Sequence, residues 1–261
     1  MATTIAISGK GGSGKTTLAA MIVGILRNQT KGTILAVDAD PNSSLGLIMG
    51  VEPAGTIAQI REDARAAPAA NAGIDRVRSF EYGIQQAITE AKGFDLLTMG
   101  RPEGPHCYCA VNNILRTFLG KLSSQYQYVI IDNEAGMEHL SRRTTNNVDL
   151  LCIVAEQTPL GCITTQRIFE LAKRLPIAVK EIGIIWNNTK VDVVENEIDK
   201  FKIQCFGYVP YDETVLGASM QGRPILDLEA NSPAFSALRK ILEDKLNLNN
   251  LELTKNSELK T

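Results

Sequence analysis

The stretch GKGGSGKTT at residues 9–17 constrains the fold more than any other part of the chain, because it matches the pattern GxxxxGK(S/T). It follows the apolar run TTIAIS at 3–8 and opens the helical pattern KTTLAAMIVGILRN. A loop of this kind points backbone N–H groups at phosphate oxygens, and the dipole of the following helix adds to the attraction. The pattern therefore predicts a phosphate-binding loop between a strand and a helix.

Each residue type in this loop has its own task. The glycines allow the backbone to curl tightly. Lys15 places a positive charge on the outer phosphates, and the hydroxyl of Thr16 can bind Mg²⁺. A glycine-rich turn without a ligand is the alternative reading of the same letters. The residues predicted to contact the nucleotide are Gly11, Gly12, Ser13, Gly14, Lys15, Thr16 and Thr17.

Short apolar runs alternate with helical patterns along the rest of the chain. They are rich in Ile, Val and Leu, as is typical of strands that are covered on both faces. This alternation predicts a single-domain, doubly wound α/β fold with a mostly parallel sheet and helices on both faces. We expect the domain to span 1–247, with an Ala-rich helical insertion near 62–76, followed by a polar tail at 248–261. The further runs lie at 33–38, 94–99, 128–132, 150–155, 182–187 and 204–209.

Charge and composition exclude several classes of function. The net charge is −2 and the pI is about 5.8, which argues against general binding to nucleic acid. No apolar run reaches the roughly 18 residues that a membrane span needs. The N-terminal MATTIAISGK lacks the pattern of a signal peptide. We therefore expect a cytoplasmic protein that binds neither membrane nor nucleic acid, with its five cysteines reduced.

Acidic residues end two of the predicted strands. AVDADP at 36–41 carries Asp38 and Asp40, and YVIIDNEAG at 128–136 carries Asp132. Residues two apart on an extended chain face the same side, and ligands bind beyond the carboxyl ends of parallel strands. Carboxylates at this edge can hold Mg²⁺, and we assign Asp132 to that role, through water, together with the hydroxyl of Thr16. Carboxylates that only cap turns are the alternative.

The stretch GPHCYCAVNN at 104–113 places Cys107 and Cys109 one residue apart. Both thiols can face one ion, because residues two apart in an extended loop project to one side. The helix predicted to begin near Ala110 favours the thiolate form, which binds soft metals. Two thiolates make half of a closed tetrahedral site, so a second copy of the loop across a two-fold axis would complete it. Inert or redox-active cysteines remain the alternatives.

The remaining cysteines and histidines carry weaker signals. Cys152, Cys162 and Cys205 lie in or beside apolar segments and are expected to pack as small hydrophobic side chains. His106 adjoins the cysteine pair. His139 and Arg142 follow Asp132, where they either sense the nucleotide or lie on a solvated helix face.

The pattern KGGxGKTT resembles the deviant Walker A motif of ATPases of the MinD type. The resemblance implies that Lys10 reaches across a dimer interface to the nucleotide of the partner. It also implies that Asp40 orients the attacking water and that Asp38 belongs to the magnesium site. Asp40, Lys10 and Lys15 would then form the catalytic set. Glu134 and Gly136 would belong to a switch segment, in which the N–H of Gly136 meets the γ-phosphate.

The same resemblance assigns the base-binding end of the nucleotide site. Asn187, in IIWNN at 184–188, resembles the asparagine that contacts adenine in this class. An amide suits that contact because it both donates and accepts hydrogen bonds. GYVPYDE at 207–213, with Pro210, resembles the loop that packs on the base. An asparagine that only occupies a turn is the alternative for Asn187.

GRPEGPHCYC followed by VNN, together with DNEAGMEHLSRR at 132–143, resembles the nickel-inserting accessory ATPases of carbon monoxide dehydrogenase, the CooC type. It also resembles their relatives that serve acetyl-CoA synthase. The resemblance implies an ATP-hydrolysing metallochaperone that forms a homodimer with ATP, Mg²⁺ and metal. Ni²⁺, or Zn²⁺ at the same thiolates, would bind at Cys107 and Cys109. The client would be one of those two enzymes.

Two other functions stay open. An electron-transfer ATPase similar to the nitrogenase iron protein would bridge its subunits with an iron–sulfur cluster. That arrangement needs a cysteine after the Asp132 strand, and the segment 133–149 contains none. A positioning ATPase of the MinD or ParA kind would act on a membrane or on DNA. The mixed charge of the C-terminal segment and the low pI disfavour both surfaces.

Overall fold

A mostly parallel eight-stranded sheet forms the centre of the molecule, with the strand order β3-β4-β2-β5-β1-β6-β7-β8. All neighbouring strands run parallel except β3 and β4. The strands are β1 (Thr3–Gly9), β2 (Ile34–Ala39), β3 (Thr89–Ala91), β4 (Phe94–Thr98), β5 (Tyr128–Asn133), β6 (Asn147–Ala155), β7 (Ala178–Thr189) and β8 (Gln204–Pro210). The computed structural model describes residues 2–66, 74–101, 120, 122, 124–134, 147–175, 177–190, 203–228, 232–246 and 248.

Every apolar run predicted as a strand is a strand, and the doubly wound α/β fold is confirmed. The sequence did not predict β3, the antiparallel strand at one edge of the sheet. Its three residues, TEA, are too few and too polar to show the alternation of apolar and polar residues that indicates a strand. The described part of the chain thus holds one strand more than expected, and the parallel core of the sheet is as predicted.

Helices cover both faces of the sheet. They are α1 (Lys15–Gln29), α2 (Ser44–Met49), α3 (Ile57–Ala66), α4 (Ile74–Ala87), α5 (Pro159–Arg174), α6 (Glu213–Met220) and α7 (Pro233–Leu246), with a 3₁₀ turn at Ile225–Asp227. The Ala-rich segment predicted near 62–76 is helical at both ends, in α3 and α4, and residues 67–73 lie outside the described part. Of the helix predicted near 110–124, only Gly120 and Leu122 are described as helical.

Two apolar layers enclose the sheet. Successive residues of β1 enter opposite layers, because side chains alternate along a strand: Ile5 packs beneath α1 and α7, and Ala6 packs on the side of α5. Burial of an Ile or Leu side chain in such a layer contributes about 1.5–3 kcal/mol. The layers therefore fix the sheet firmly, and its carboxyl edge becomes a rigid platform for loops.

The predicted domain boundary falls after residue 247. Leu248, one residue further, is described and packs in the layer that contains α1 and α7. Residues 249–261 lie outside the described part. Within that part, no helix combines the length and the apolar character that a membrane crossing needs.

Candidate functional site

The loop between β1 and α1 forms a cradle at the carboxyl edge of the sheet. Gly12 and Gly14 adopt left-handed backbone conformations, with φ of 81° and 91°. No described atom lies within 4 Å of where a side chain of Gly12 would begin, so the cradle is open on that side. Among the described residues, no side chain caps the start of α1, which leaves its first N–H groups available. These features suit an anion such as a phosphate.

Lys15 lies at the centre of this cradle. Its side chain is only 7% exposed, and its ammonium donates a hydrogen bond to the carbonyl oxygen of Lys10 at 3.3 Å. The backbone N–H of Ser13 donates to the same carbonyl at 3.2 Å. Lys10 itself is exposed at the rim. The structure thus places both predicted lysines at the loop, with Lys15 inside and Lys10 outside. Contact of Lys10 with a partner stays a prediction.

Asp38 lies at the end of β2, at the same register level as Asp132 on β5. It is fully buried and accepts hydrogen bonds from the backbone N–H groups of Leu45 at 2.8 Å and Asp40 at 3.2 Å. Burial raises the pKa of its carboxyl group to about 6, although these hydrogen bonds lower it in part. Asp38 therefore fastens the loop after β2 and retains a proton more readily than an exposed aspartate.

Asp132 is also fully buried, and among the described residues neither of its oxygens has a hydrogen-bond partner of ordinary geometry. Burial raises the pKa of its carboxyl group to about 7. The Thr16 hydroxyl and the Lys15 ammonium lower this pKa in part, whereas the charge of Asp38 raises it. An ionised carboxylate without a partner is costly in this setting, so the site favours either a proton or a cation.

The residues at this position fit a magnesium ion. The buried carboxyl group of Asp132 lies near the hydroxyl of Thr16 and the carboxyl group of Asp38. Oxygen ligands from carboxylates and hydroxyls are those that Mg²⁺ prefers, together with water and substrate phosphates. A divalent cation would satisfy the buried carboxylate, and the assignment of Mg²⁺ to these residues stays a prediction.

Asp40 is half-buried just beyond β2. Its Oδ1 accepts hydrogen bonds from the backbone N–H and the side-chain amide of Asn42, both at 2.9 Å. This turn fixes the direction of the carboxylate. The sequence analysis did not single out Asn42, although Asp-Pro-Asn is a turn signal that could have found it. The catalytic role of Asp40 stays a prediction.

The predicted base-binding residues lie on the neighbouring strands β7 and β8, where Thr189 pairs with Pro210. Asn187 is buried, and its amide nitrogen Nδ2 donates a hydrogen bond to the carbonyl oxygen of Ser13 at 2.9 Å. Asp212, just after Pro210, accepts from Thr214 at the start of α6 and from Ala234 at the start of α7. The structure thus brings Asn187 against the cradle. Contact with adenine stays a prediction.

A second asparagine, Asn133, ties β5 to β1. Its amide nitrogen donates to the carbonyl oxygen of Ile7 at 2.9 Å inside the protein. Sequence reasoning missed it, because nothing in the letters DNEAG tells which strand lies beside β5. Glu134 follows at a half-buried position. The other residues predicted for the switch, Gly136, His139 and Arg142, lie outside the described residues.

Cys107 and Cys109 also lie outside the described residues, as does His106. The chain that leads towards them leaves the carboxyl edge after β4, where the N–H of Met99 donates to the carbonyl oxygen of Asp38 at 2.8 Å. In the described ranges, no three or more His, Cys, Asp or Glu side chains are grouped to hold a metal.

The three remaining cysteines lie in the described part of the chain, and none of them is in a disulfide. Cys152 is buried in the core as predicted, and burial raises its pKa to about 12. Cys162 and Cys205 are half-buried, so they are more accessible than the sequence analysis assumed, and they pack beside Trp186.

A cleft adjoins the cradle on the side of α5. Lys10, Ser13, Glu156 and Thr165 are among its lining residues. The hydroxyl groups of Ser13 and Thr165 are buried there, and neither has a hydrogen-bond partner among the described residues. The rim of the phosphate cradle is therefore polar and has room for further contacts.

The family model for the CobQ/CobB/MinD/ParA nucleotide-binding domain matches residues 4–225. The chain is 37% identical to an uncharacterized ATP-binding protein from Methanocaldococcus jannaschii, over 93% of this chain and 98% of that protein. It is 31% identical to the carbon monoxide dehydrogenase accessory protein CooC from Rhodospirillum rubrum, over 88% of this chain and 90% of that protein.

Solved structures share the fold. The cell division ATPase MinD from Pyrococcus furiosus aligns with a TM-score of 0.71 at 21% identity, over 95% of this chain and 100% of that one. MinD from Pyrococcus horikoshii in complex with Mg-ADP aligns with a TM-score of 0.69 at 23% identity, over 94% of this chain and 96% of that one. At this level of identity the likeness concerns the architecture of the sheet and its helices.

Proposed function

Because the chain belongs to the CobQ/CobB/MinD/ParA family of nucleotide-binding domains and is an ATPase, we propose that it uses ATP to insert nickel into a metalloenzyme. The client would be carbon monoxide dehydrogenase or acetyl-CoA synthase. The observation that carries the proposal is the pair Cys107 and Cys109 in a chain that is 31% identical to a carbon monoxide dehydrogenase accessory protein. We place this reaction in the cytoplasm.

In this proposal the cradle residues Gly11 to Thr17 hold the triphosphate, with Lys15 on its outer phosphates. Thr16, Asp38 and Asp132 hold Mg²⁺, which neutralises phosphate charge when bound. Asp40, whose carboxylate direction is fixed by Asn42, orients the attacking water. These assignments join the carboxyl ends of three adjacent strands, as positioning catalysis requires.

Nickel is the cargo of the reaction. Two thiolates per chain make half of a closed site, so two copies of the chain would share one ion. Lys10 is exposed at the rim of the cradle, where a second copy could meet it. The homodimer would therefore join nucleotide binding and cargo binding in one assembly.

One contact supports a link between the two sites. The segment that leads to Cys107 begins at Met99, whose N–H is bound to the carbonyl oxygen of Asp38. Asp38 in turn is assigned to the magnesium site. A change at Asp38 on nucleotide binding would therefore act on the backbone that carries the thiols, eight residues before Cys107.

Equilibrium dialysis with ⁶³Ni²⁺ tests the proposal. The protein with ATP, with ADP and without nucleotide is compared, and we expect one ion per two chains in the dimer. Cys107→Ser and Cys109→Ser should lose tight binding. The control Cys205→Ser should keep it, because Cys205 lies on β8, at the edge of the sheet opposite to β4. A second assay then measures activation of nickel-free carbon monoxide dehydrogenase or acetyl-CoA synthase. Tight binding that survives in the double cysteine variant contradicts the cargo site.

A positioning ATPase is the second candidate, because the chain is also 28% identical to the septum site-determining protein MinD of Buchnera aphidicola over 89% of its length. ATP-dependent sedimentation with anionic phospholipid vesicles, or retention on double-stranded DNA, would favour it over the cargo role. An electron-transfer ATPase would instead show brown colour and visible absorption after anaerobic reconstitution with iron and sulfide.

A further inference from the structure

We propose that Asn187 is a positioning residue for the phosphate cradle, and that it raises the affinity for the triphosphate whatever base the nucleotide carries. The observation is its hydrogen bond to the carbonyl oxygen of Ser13, from Nδ2 at 2.9 Å. This inference goes beyond nickel insertion and rests only on nucleotide binding by the cradle.

The chemistry of the bond fixes the orientation of the amide. A backbone carbonyl oxygen only accepts hydrogen bonds, so the group that faces Ser13 is the NH₂ of Asn187 and not its oxygen. Asn187 is 7% exposed and Ser13 is 4% exposed, so water has little access to either partner. A buried carbonyl that lost this donor would have no ready replacement.

The carbonyl of Ser13 belongs to the peptide that joins Ser13 to Gly14. Gly14 has a φ of 91°, a left-handed conformation that turns this peptide relative to its neighbours. The cradle works only if N–H groups point at the anion and carbonyl groups point away. By holding the Ser13 carbonyl towards β7, Asn187 keeps an oxygen atom from facing the phosphates.

The packing around Gly14 supports the same role. A side-chain carbon on Gly14 would collide with Nδ2 of Asn187, so the asparagine lies directly against the loop backbone. Its position near the end of β7 comes from pairing with β6, and β6 pairs with β1, which leads into the cradle. The rigid sheet thus connects both partners of the bond.

A role in reading adenine predicts a different result from a role in positioning the cradle. If Asn187 contacts the base, its loss should weaken binding only of ligands that contain adenine. If Asn187 positions the cradle, its loss should weaken binding of every ligand that contains the triphosphate. Asn188 provides a matched control, because it is the next residue, is exposed, and donates to Glu156 at 3.4 Å and not to the cradle.

The experiment measures the Kd of ATP, GTP and inorganic tripolyphosphate by calorimetry with Mg²⁺ present. Asn187→Leu keeps the approximate volume and removes the donor, and Asn188→Gly is the control, chosen because Asn188 has a positive φ of 54°. Loss of one buried hydrogen bond should weaken all three ligands about 5- to 15-fold in Asn187→Leu. The control should stay within about twofold of the parent chain, which is ordinary for a surface change.

A third variant separates positioning from a general loss of structure. In Asn187→Asp an ionised carboxylate lies opposite the carbonyl oxygen of Ser13. Both groups only accept hydrogen bonds and they repel each other, so the variant should bind the three ligands more weakly than Asn187→Leu at pH 8. A protonated carboxyl group can donate again, so the affinity of Asn187→Asp relative to Asn187→Leu should rise as the pH falls to about 5. Thermal unfolding without ligand verifies that each variant is folded.

Losses that agree within threefold for the three ligands support the proposal. A loss for ATP that exceeds the loss for GTP or tripolyphosphate by more than threefold overturns it in favour of base reading. Equal affinities of Asn187→Leu and the parent chain overturn it as well. None of these outcomes depends on nickel or on a client enzyme, so they are separate from the test of the cargo role.

Discussion

Asp38 and Asp132 lie at the same register level on adjacent parallel strands, and burial raises the pKa of both carboxyl groups, to about 6 and about 7. Two neighbouring buried carboxylates repel each other and lack water. In the nucleotide-free protein, ionisation of both Asp38 and Asp132 is therefore unfavourable, at the place where Mg²⁺ is expected. This arrangement determines how stability should depend on pH.

The free energy of unfolding should rise as the pH falls from about 8 to about 5. Both groups bind protons at a higher pH in the folded protein than in the unfolded chain, so protons favour the folded state in this range. One pKa unit corresponds to about 1.4 kcal/mol, so the change should amount to a few kcal/mol. Urea unfolding of the nucleotide-free protein at both pH values measures it.

Asp132→Asn should unfold at a higher urea concentration than the parent chain at pH 8 and show a smaller change with pH. Asp244→Asn, an exposed change on α7, should keep the parental pH dependence. If the free energy of unfolding depends on pH equally in Asp132→Asn and in the parent chain, the titration of Asp132 does not cause this dependence.

Asp40→Ala should bind ATP with nearly the parental affinity and lose hydrolysis by a factor of about 100 or more, because the water would no longer be oriented. Lys15→Ala should instead lose nucleotide affinity, since the ammonium lies inside the cradle. Phosphate release and calorimetry distinguish the two effects. Parental turnover in Asp40→Ala would rule out its catalytic role.

Lys10→Ala should still bind ATP but no longer dimerise with it. Lys10 is at the exposed rim, and Lys15 supplies the charge inside the cradle. Light scattering with and without ATP measures the mass, and Lys31→Ala, another exposed lysine, is the control. ATP-dependent dimers of unchanged stability in Lys10→Ala would make it an ordinary surface lysine.

Asp212→Ala should lower the free energy of unfolding by about 1–3 kcal/mol at pH 7, because one carboxylate caps the starts of both α6 and α7. Burial raises the pKa of Asp212, but the hydrogen bonds from Ala234, Ser232 and Thr214 outweigh burial and hold the pKa below its usual value.

This pKa shift gives the Asp212 effect a pH dependence. The stabilisation is present above the pKa of the unfolded chain, near 4, and disappears as the pH falls through the folded pKa. Urea unfolding at pH 7 and pH 3 tests this, with Glu213→Ala as the control. An effect of Asp212→Ala that is as large at pH 3 as at pH 7 contradicts the assignment.

The sequence predicts where a side chain lies in the fold best where a single local segment determines its position. The cradle, Asp38 and Asp132 each stand at the end of an apolar run, and parallel strands bring such ends to one edge. The hydrogen bond of Asn187 to Ser13 spans 174 positions, and that of Asn133 to Ile7 spans 126. Such bonds depend on which strands become neighbours in the sheet. The residue pattern of a single segment does not reveal the order of the strands.

The burial of these carboxylates escapes prediction for a related reason. Asp38 and Asp40 look alike in AVDADP, yet one is fully buried and the other half-buried. The difference arises from the last residue of β2 lying between them, where the chain leaves the sheet. Burial at a strand end varies from one residue to the next, and hydropathy averaged over a window cannot separate adjacent positions.

The order of the strands has an evolutionary consequence. β7 and β8, with Asn187 and Pro210, lie on one side of β1, whereas β2 and β4, from which the chain leads towards Cys107, lie on the other. Three strands, β5, β1 and β6, separate β2 from β7, so exposed substitutions that adapt the β4 side to a new partner do not alter Asn187 or Pro210. Descendants of one ancestral ATPase could diversify on the β4 side while inheriting the same nucleotide chemistry.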